Sequence, residues 1–302
     1  MVRHVTAGVD ESGESLAAAH WAAREALRRG GALRLVHAWK GQPQPAPAVP
    51  ADATLRLLAE QTLERAAGSV RAAHPGLTVE DQLVPESAVT VLLTEAGDAE
   101  LLVLGSRGLG RITGFVVGSV SQRVVARAPC PLVLVRAGET SADEHLPAMN
   151  GVSPDEIPET PFRDVVLGLD TRHPSDELIG FAFEAARRCG ASLHVIHACG
   201  MAPAHAAHGR SGPASRQDPA AEREHLLAAM LRPWREKIPG VPVTGTVFRG
   251  RAAPELVRAS ARASLVVVGR RTRDARLGTH IGSVTHAVLH HAGCPVAVVP
   301  HA

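Results

Sequence analysis

No stretch of this 302-residue chain stays apolar and uncharged for the roughly 18 residues that a membrane helix needs. Charge of one sign is missing too: 32 Lys and Arg stand against 30 Asp and Glu, and no Lys/Arg cluster breaks that balance. A nucleic-acid partner is therefore not expected. Tyrosine is absent, which with abundant Ala, Arg, Gly and Pro is the composition of a GC-rich genome and carries no functional information. The cysteines Cys130, Cys189, Cys199 and Cys294 form no Cys-x-x-Cys pair, and such sparse usage suits a reducing cytosol. The opening MVRHVTAGVD runs straight into a short apolar stretch ending in an acid, unlike a signal peptide. The expectation is a soluble cytoplasmic protein.

Catalytic signatures are equally scarce. There is no Walker Gly-x-x-x-x-Gly-Lys-Ser/Thr, no Gly-x-Ser-x-Gly elbow, and no constellation that would activate a water against a γ-phosphate. Among sixteen histidines, His286 and His290 stand four apart on an expected helix, and His205 and His208 lie in a Pro/Gly/Ala-rich loop. Two histidines without a placed carboxylate or thiolate make a weak metal site, so no metal is expected. Cys130 and Cys294 precede prolines at matching points, which fits small buried residues better than redox chemistry.

What the chain does contain is one unit written twice. Residues 5–39 align with 165–199 at an offset of 160, placing Asp10 on Asp170 and His37 on His197. AELLVLGSRG aligns with ASLVVVGRRT at an offset of 164, as does APCPLVLVR with AGCPVAVVP. The units span 1–137 and 162–302, and the acidic, Pro- and Gly-containing segment 138–161 reads as a solvated linker.

In the first unit HVTAGV, LRLVHA, TVEDQLV, LLVLG and PLVLVR read as strands, separated by helix-period segments such as Leu16, Ala19, Ala23, Leu27 and Leu55, Leu58, Leu63, Ala66, Val70. Near-continuous apolar strands alternating with helices predict a parallel sheet covered on both faces. Right-handed crossovers favour a doubly wound order with strand 1 beside strand 4, and the ligand crevice opens at their carboxyl ends. Those ends are Val9-Asp10 and Leu104-Gly105.

The glycine-rich GSRGLGRITGFVVGS, residues 105–119, begins at that crevice. Gly105 and Gly108 supply backbone without Cβ atoms, and Gly118 opens the next helix, where Ser119 can cap and donate with Ser121 to phosphate oxygens. The loop 109–117 is long enough to fold over a triphosphate, with Arg107 and Arg111 offsetting its charge. Asp10 either caps the following helix, accepts hydrogen bonds from adenine or ribose, or ligates Mg2+. The end of strand 2, Val36 to Trp39, can form an apolar slot for a base, although Trp39 can equally pack on its own Pro-rich loop.

The spacing Gly105-x-x-Gly108, nine residues, then Gly118-Ser119, with GVDES closing strand 1 and APCPLVLVR as the last strand, resembles the ATP-binding signature of the universal stress protein family. Both halves resemble it, so the chain looks like a tandem member. The resemblance implies two tandem doubly wound, Rossmann-like α/β domains of strand order 3-2-1-4-5, whose final strands, 132–135 and 296–299, pair across the halves as an intramolecular pseudo-dimer. It implies ATP in the first crevice, with Asp10 near base and ribose, Val36 and Ala38 beside adenine, and Gly105, Arg107, Gly108, Gly118, Ser119, Val120 and Ser121 at ribose and phosphates. The second set is Asp170, Ala198, Gly269, Thr272, Gly282, Ser283, Val284 and Thr285.

This second copy departs from the pattern. Thr272 replaces the glycine at 108, a costly change if the position needs positive φ, while Arg270, Arg271, Arg273 and Arg276 can hold phosphate by side chains instead. Tighter ATP binding is expected in the first half. The function expected is that of an ATP-binding regulatory stress protein, dimeric, slow or inactive in hydrolysis, and acting on an unidentified protein partner. The alternatives are an adenylating ATP pyrophosphatase, whose Ser-Gly-Gly-x-Asp-Ser loop GVDESGES does not match in order, and a nucleotide-free scaffold.

Overall fold

The computed structural model describes residues 4–39, 51–108, 115–116, 118–146, 160–199, 219–272 and 281–302, with backbone alone at 51–52, 107–108, 115–116 and 219–220. The first half runs β1 (His4–Gly8), α1 (Gly13–Arg29), β2 (Ala32–Ala38), α2 (Ala51–Ala73), β3 (Val79–Val84), α3 (Ala88–Asp98), β4 (Leu101–Gly108), β5 (Phe115–Val116), α4 (Ser119–Val125) and β6 (Leu132–Arg136). A short α5 (Ser141–Glu144) follows. The second half is β7 (Asp164–Gly168), α6 (Asp176–Cys189), β8 (Leu193–Cys199), α7 (Pro219–Lys237), β9 (Val243–Arg249), α8 (Ala252–Ser260), β10 (Ala263–Arg271), α9 (Ser283–His291) and β11 (Val296–His301).

Local chemistry fixes the helix ends, the starts by serine and the finishes at matching glycines. Ser12 caps α1 by accepting from Ser15 N, and Ser175 caps α6 by accepting from Leu178 N. Gly30 and Gly190 close the same helices in the left-handed region, at φ 64° and 62°. A residue with Cβ is strained there, so glycine ends the helix and turns the chain back toward the sheet.

The strands form one continuous sheet of order β3-β2-β1-β4-β6-β11-β10-β7-β8-β9, with β5 paired to β4. Each half therefore has the expected 3-2-1-4-5 order, parallel throughout. The halves join where β6 and β11 pair antiparallel, Leu132 on Val298, Val133 on Ala297 and Leu134 on Val296. Val133 and Ala297 are repeat equivalents, so the pairing is self-complementary, as at a twofold interface.

Successive strand residues face opposite sides, and each side has its own core shared by both halves. Leu101 and Val103 join Val133, Val267 and Val299 under α1, α2, α6 and α7, while Leu102 and Leu104 join Leu132, Val266 and Val298 under α3, α4, α8 and α9. The helix faces differ from those predicted. Leu16 and Leu27 are 37% and 46% exposed, and α1 instead buries Ala18, Ala19, Ala22, Ala23, Ala26 and Trp21. Small alanines let α1 lie close on the sheet, and that closeness leaves no room for leucine. On α2, Leu63, Ala66 and Val70 are buried as expected, whereas Leu55 and Leu58 are exposed.

The segment between the halves is not simply solvated. Thr140 and Asp143 form a capping box for α5. Glu144 is 2% exposed and accepts from Arg24 Nε and Nη2 at 3.1 and 2.8 Å and from Arg28 Nη1 at 2.9 Å. His145 bridges to Phe162, their rings 4.0 Å apart. Both ends of the connection thus dock on α1 and on each other. Cys130 and Cys294 are buried, as read from the sequence, and burial pushes the Cys130 thiol up to about 11.

Candidate functional site

The first crevice lies at the carboxyl ends of β1 and β4, as the doubly wound topology requires. Its cavity of about 200 Å³ is lined by Asp10 after β1, Val36, His37 and Ala38 at the end of β2, Gly105 of β4, and Gly118, Ser119, Val120 and Ser121 at the start of α4. α3 closes the apolar side with Ala88, Val91 and Leu92, which nothing in the sequence pattern had singled out. The side chain of Arg107, the loop around Arg111, and most of 109–117 fall outside the described residues, and of Gly108 only its place in β4 is described.

Asp10 neither caps α1 directly nor stands alone. Its Oδ1 accepts from Ser12 N at 2.9 Å and from the Ser12 hydroxyl, while Ser12 itself caps the helix. Burial acts to raise the Asp10 pKa, but the hydrogen bonds from Ser12 and Ser15 and the nearby His37 outweigh it and hold the carboxyl below its ordinary value. His37 Nδ1 sits 2.7 Å from Val9 O, which ties the β2 edge to the same turn. The result is an ionised acceptor held rigidly at one side of an apolar slot.

The glycines divide into two kinds. β4 continues to Gly108 instead of ending at Gly105, and β5 returns beside it, Arg107 opposite Val116 and Gly108 opposite Phe115. Gly105 therefore lies inside the strand, where a Cβ would stand 2.6 Å from Glu14 C and 2.8 Å from Glu14 O and Ser15 N. It is glycine so that α1 can start directly over β4. Gly118 is the opposite case: a Cβ there meets nothing within 4 Å, and the open space is the crevice itself.

Two expected hydroxyl roles change. Gly118, and not Ser119, is the N-cap of α4, and no side chain caps that helix, so its leading N–H groups remain available to a ligand. The Ser121 hydroxyl donates to Gly105 O at 3.1 Å, as Thr285 does to Gly269 O at 2.8 Å. Both tie the helix start to the strand and are not free donors for phosphate.

The second crevice, about 660 Å³, is built from the equivalent ends and contains Asp170, Gly269, Thr272, Gly282, Ser283, Val284 and Thr285. Ala198 does not line it, nor does any other residue of β8. The cause is local: α6 is capped at Ser175, three residues later than the Ser12 position, and a turn takes the place of the first helical turn. In that turn Arg172 Nε and Nη2 close on Asp170 Oδ1 and Oδ2 at 3.0 and 3.1 Å. Burial raises the Asp170 pKa, but the Arg172 and His173 hydrogen bonds win and bring it down to about 2. His197 is spent as well, with Nδ1 3.0 Å from Leu169 O and Nε2 3.2 Å from Thr171 Oγ1.

Thr272 carries no backbone strain. Its counterpart Gly108 lies in the extended strand β4, and Thr272 N and Oγ1 both donate to His301 O, at 2.7 and 2.9 Å. Arg270 does not reach for ligand either: its guanidinium crosses the seam and donates to Ala126 O at 3.1 Å and Ala128 O at 2.5 Å, at the carboxyl end of α4. Arg271 reaches Asp170 Oδ2 at 3.4 Å, and Arg273 and Arg276 fall outside the described residues, as do His205 and His208. The His286 and His290 rings lie 4.3 Å apart, and among the described residues no three His, Cys, Asp or Glu gather as metal ligands.

Two doubly wound halves on one sheet, each with a crevice between its first and fourth strands and a helix start without a side-chain cap on the rim, define a tandem doubly wound α/β protein. The sequence matches the universal stress protein family model over residues 1–136 and 161–300, and the chain belongs to that family. It is 33% identical over 301 residues to universal stress protein Rv2005c of Mycobacterium tuberculosis, covering 97% of this chain and 96% of the relative. Universal stress protein Rv2623 of the same organism is 33% identical over 304 residues, covering 97% and 95%. A universal stress protein structure from Archaeoglobus fulgidus superposes with a TM-score of 0.72 over 99% of this chain and 98% of that one, at 15% identity. No helix among the described residues is long and apolar enough to cross a membrane.

Proposed function

We propose that the chain is a regulatory protein that binds ATP in its first crevice and acts through the resulting conformational change, with hydrolysis slow or absent. The observation that carries this reading is the convergence, around one cavity, of an ionised Asp10, the Val36 and Ala38 edge of β2, and an uncapped helix start whose Gly118 leaves space for a ligand. An apolar slot with an acceptor at its side suits a base and ribose, and bare N–H groups at a helix start suit phosphates. Ligand binding there would alter the surface offered to a partner protein that prefers one state. We place this protein in the cytoplasm because its four cysteines are all free, and propose a homodimer on the family resemblance alone.

Titration of the full-length chain with ATP, with and without Mg2+, tests the reading. Gly118→Glu sets a like charge against the phosphates and should lower affinity at least a hundredfold, about 2.7 kcal/mol. Unchanged affinity in that variant would refute the assignment, and steady release of ADP or of AMP and pyrophosphate would refute the absence of turnover.

A further inference from the structure

The two crevices have drifted apart in charge as well as in shape. Asp10 and Glu14 line the first, and no described arginine or lysine does. The second is lined by Arg127, Arg270 and Arg271 with His173 and His301, against the single carboxylate of Asp170. Arg127 comes from the first half, so this crevice crosses the seam.

His301 is the feature with no counterpart in the first half. It occupies the place of Ala137 and is only 9% exposed. Its Nε2 sits 2.5 Å from where a Cβ of Gly269 would be, in the space that the first turn of α1 fills over Gly105. Because α6 starts later, a histidine ring lies over the strand where the first half has helix backbone. Nδ1 is 3.0 Å from Ala302 O, and the Glu177 carboxylate of α6 acts electrostatically on the ring. At the same crevice α9, nine residues long, begins at Gly282 with no side-chain cap, and a Cβ on Gly282 meets nothing within 4 Å.

Among the described residues of this crevice none is placed to recognise a base. No residue of β8 lines it, His197 has both ring nitrogens engaged, and Asp170 is held at both oxygens by Arg172. What recognises phosphate is present: an open helix start, the ring of His301, Arg127, and Arg271, whose contact with Asp170 is a long 3.4 Å.

We propose that the second crevice binds a chain of phosphoryl groups, an inorganic or organic polyphosphate, by charge and without reading a base. Arg271 and His301 contact it together with the leading N–H groups of α9. This site is separate from the first crevice and stands or falls independently of ATP binding there.

Calorimetric titration of the full-length chain with inorganic tripolyphosphate, in the presence of saturating adenosine, tests the proposal. One equivalent should bind, and Arg271→Gln and His301→Gln should each weaken it about tenfold. Gly118→Glu, in the first crevice, should leave it unchanged, and so should Arg232→Gln on the exposed face of α7, which removes the same charge elsewhere. In the Gly118→Glu background ATP, GTP and tripolyphosphate should bind within a few-fold of one another. The proposal is overturned if adenosine competes, if Gly118→Glu abolishes tripolyphosphate binding, or if ATP binds more than tenfold tighter than tripolyphosphate in that background. Equal weakening by Arg232→Gln and Arg271→Gln would also overturn it, since bulk charge would then explain the affinity. His301→Gln keeps size and polarity, so it decides the matter should Arg271→Gln fail to fold.

Discussion

Replacing Gly105 and Gly118 separately by alanine should separate packing from ligand contact, because the same methyl group meets opposite surroundings. At Gly105 the new Cβ would lie 2.6 Å from the carbonyl carbon of Glu14, close to an ångström inside the ~3.5 Å of an unstrained carbon contact. The obstructing atoms are helix backbone, so no side-chain rotation relieves the clash. Overpacking of this kind costs about 1–3 kcal/mol, and immovable neighbours put Gly105→Ala at about 3 kcal/mol. At 2–4 °C per kcal/mol for a chain of this size, the melting midpoint should fall by about 6–12 °C. At Gly118 the methyl enters open space at φ −56°. The few tenths of a kcal/mol lost at the cap are offset by a less flexible unfolded chain, so stability should stay within about 0.5 kcal/mol. Differential scanning calorimetry gives the first quantity, and ATP titration of each folded variant gives the second. Gly118→Ala should melt like the parent and bind ATP about tenfold more weakly, about 1.4 kcal/mol. A Gly105→Ala chain that melts with the parent, or a Gly118→Ala chain with the parent's ATP affinity, would refute the division of the two glycines.

Other changes test the frame around the sites. Glu144→Gln should lower stability by about 3–5 kcal/mol, measured by urea unfolding, because Arg24 and Arg28, whose side chains are only 15% and 14% exposed, would lose their shared carboxylate. Glu139 is pushed up to about 7, chiefly by burial and then by Asp143 and Glu144. A carboxyl whose folded pKa is raised stabilises the fold fully below its unfolded value of 4.5 and loses that contribution as pH rises through 7, so the parent's melting midpoint should fall from pH 5 to pH 8. Glu139→Gln should flatten that profile, by on the order of 2 kcal/mol across the window; an identical slope in both proteins would show that Glu139 does not titrate there. Arg270→Gln removes two bonds from the end of α4 and should destabilise by about 2–3 kcal/mol, read by calorimetry.

Much of this was legible in the sequence because it depends on pattern. The repeat, the alternating strands and the glycine-rich segment after the fourth strand fixed the topology and pointed to Asp10, Val36, Ala38 and Gly118 together. What escaped the sequence depends on partners distant along the chain. Gly105 looked like a ligand glycine, and only the approach of Glu14 makes it a packing one. Arg270 looked like a phosphate ligand, yet its acceptors lie 142 and 144 residues away in the other half. Thr272 looked strained, but the strand it extends was predicted to end too early. His37 was visible as a repeat match to His197, which signalled structure at the strand end, though not that one ring would line a crevice while the other was buried. Leu16 and Leu27 show the limit of periodicity: alanine faced the sheet because close packing favoured small size over hydrophobicity.

The seam between β6 and β11 has a consequence for how this molecule can change over generations. In a dimer of identical chains, any substitution reaches both sites at once, so neither can be altered without risking the other. Here the two partners are covalently successive, and Val133 meets its own counterpart Ala297 across an antiparallel pair that keeps the halves in fixed register. Arg172, His301 and Thr272 could therefore accumulate on one side only, while Ser12, Ala137 and Gly108 persisted on the other. Fusion turns a symmetric pair into two separately heritable compartments on a common floor.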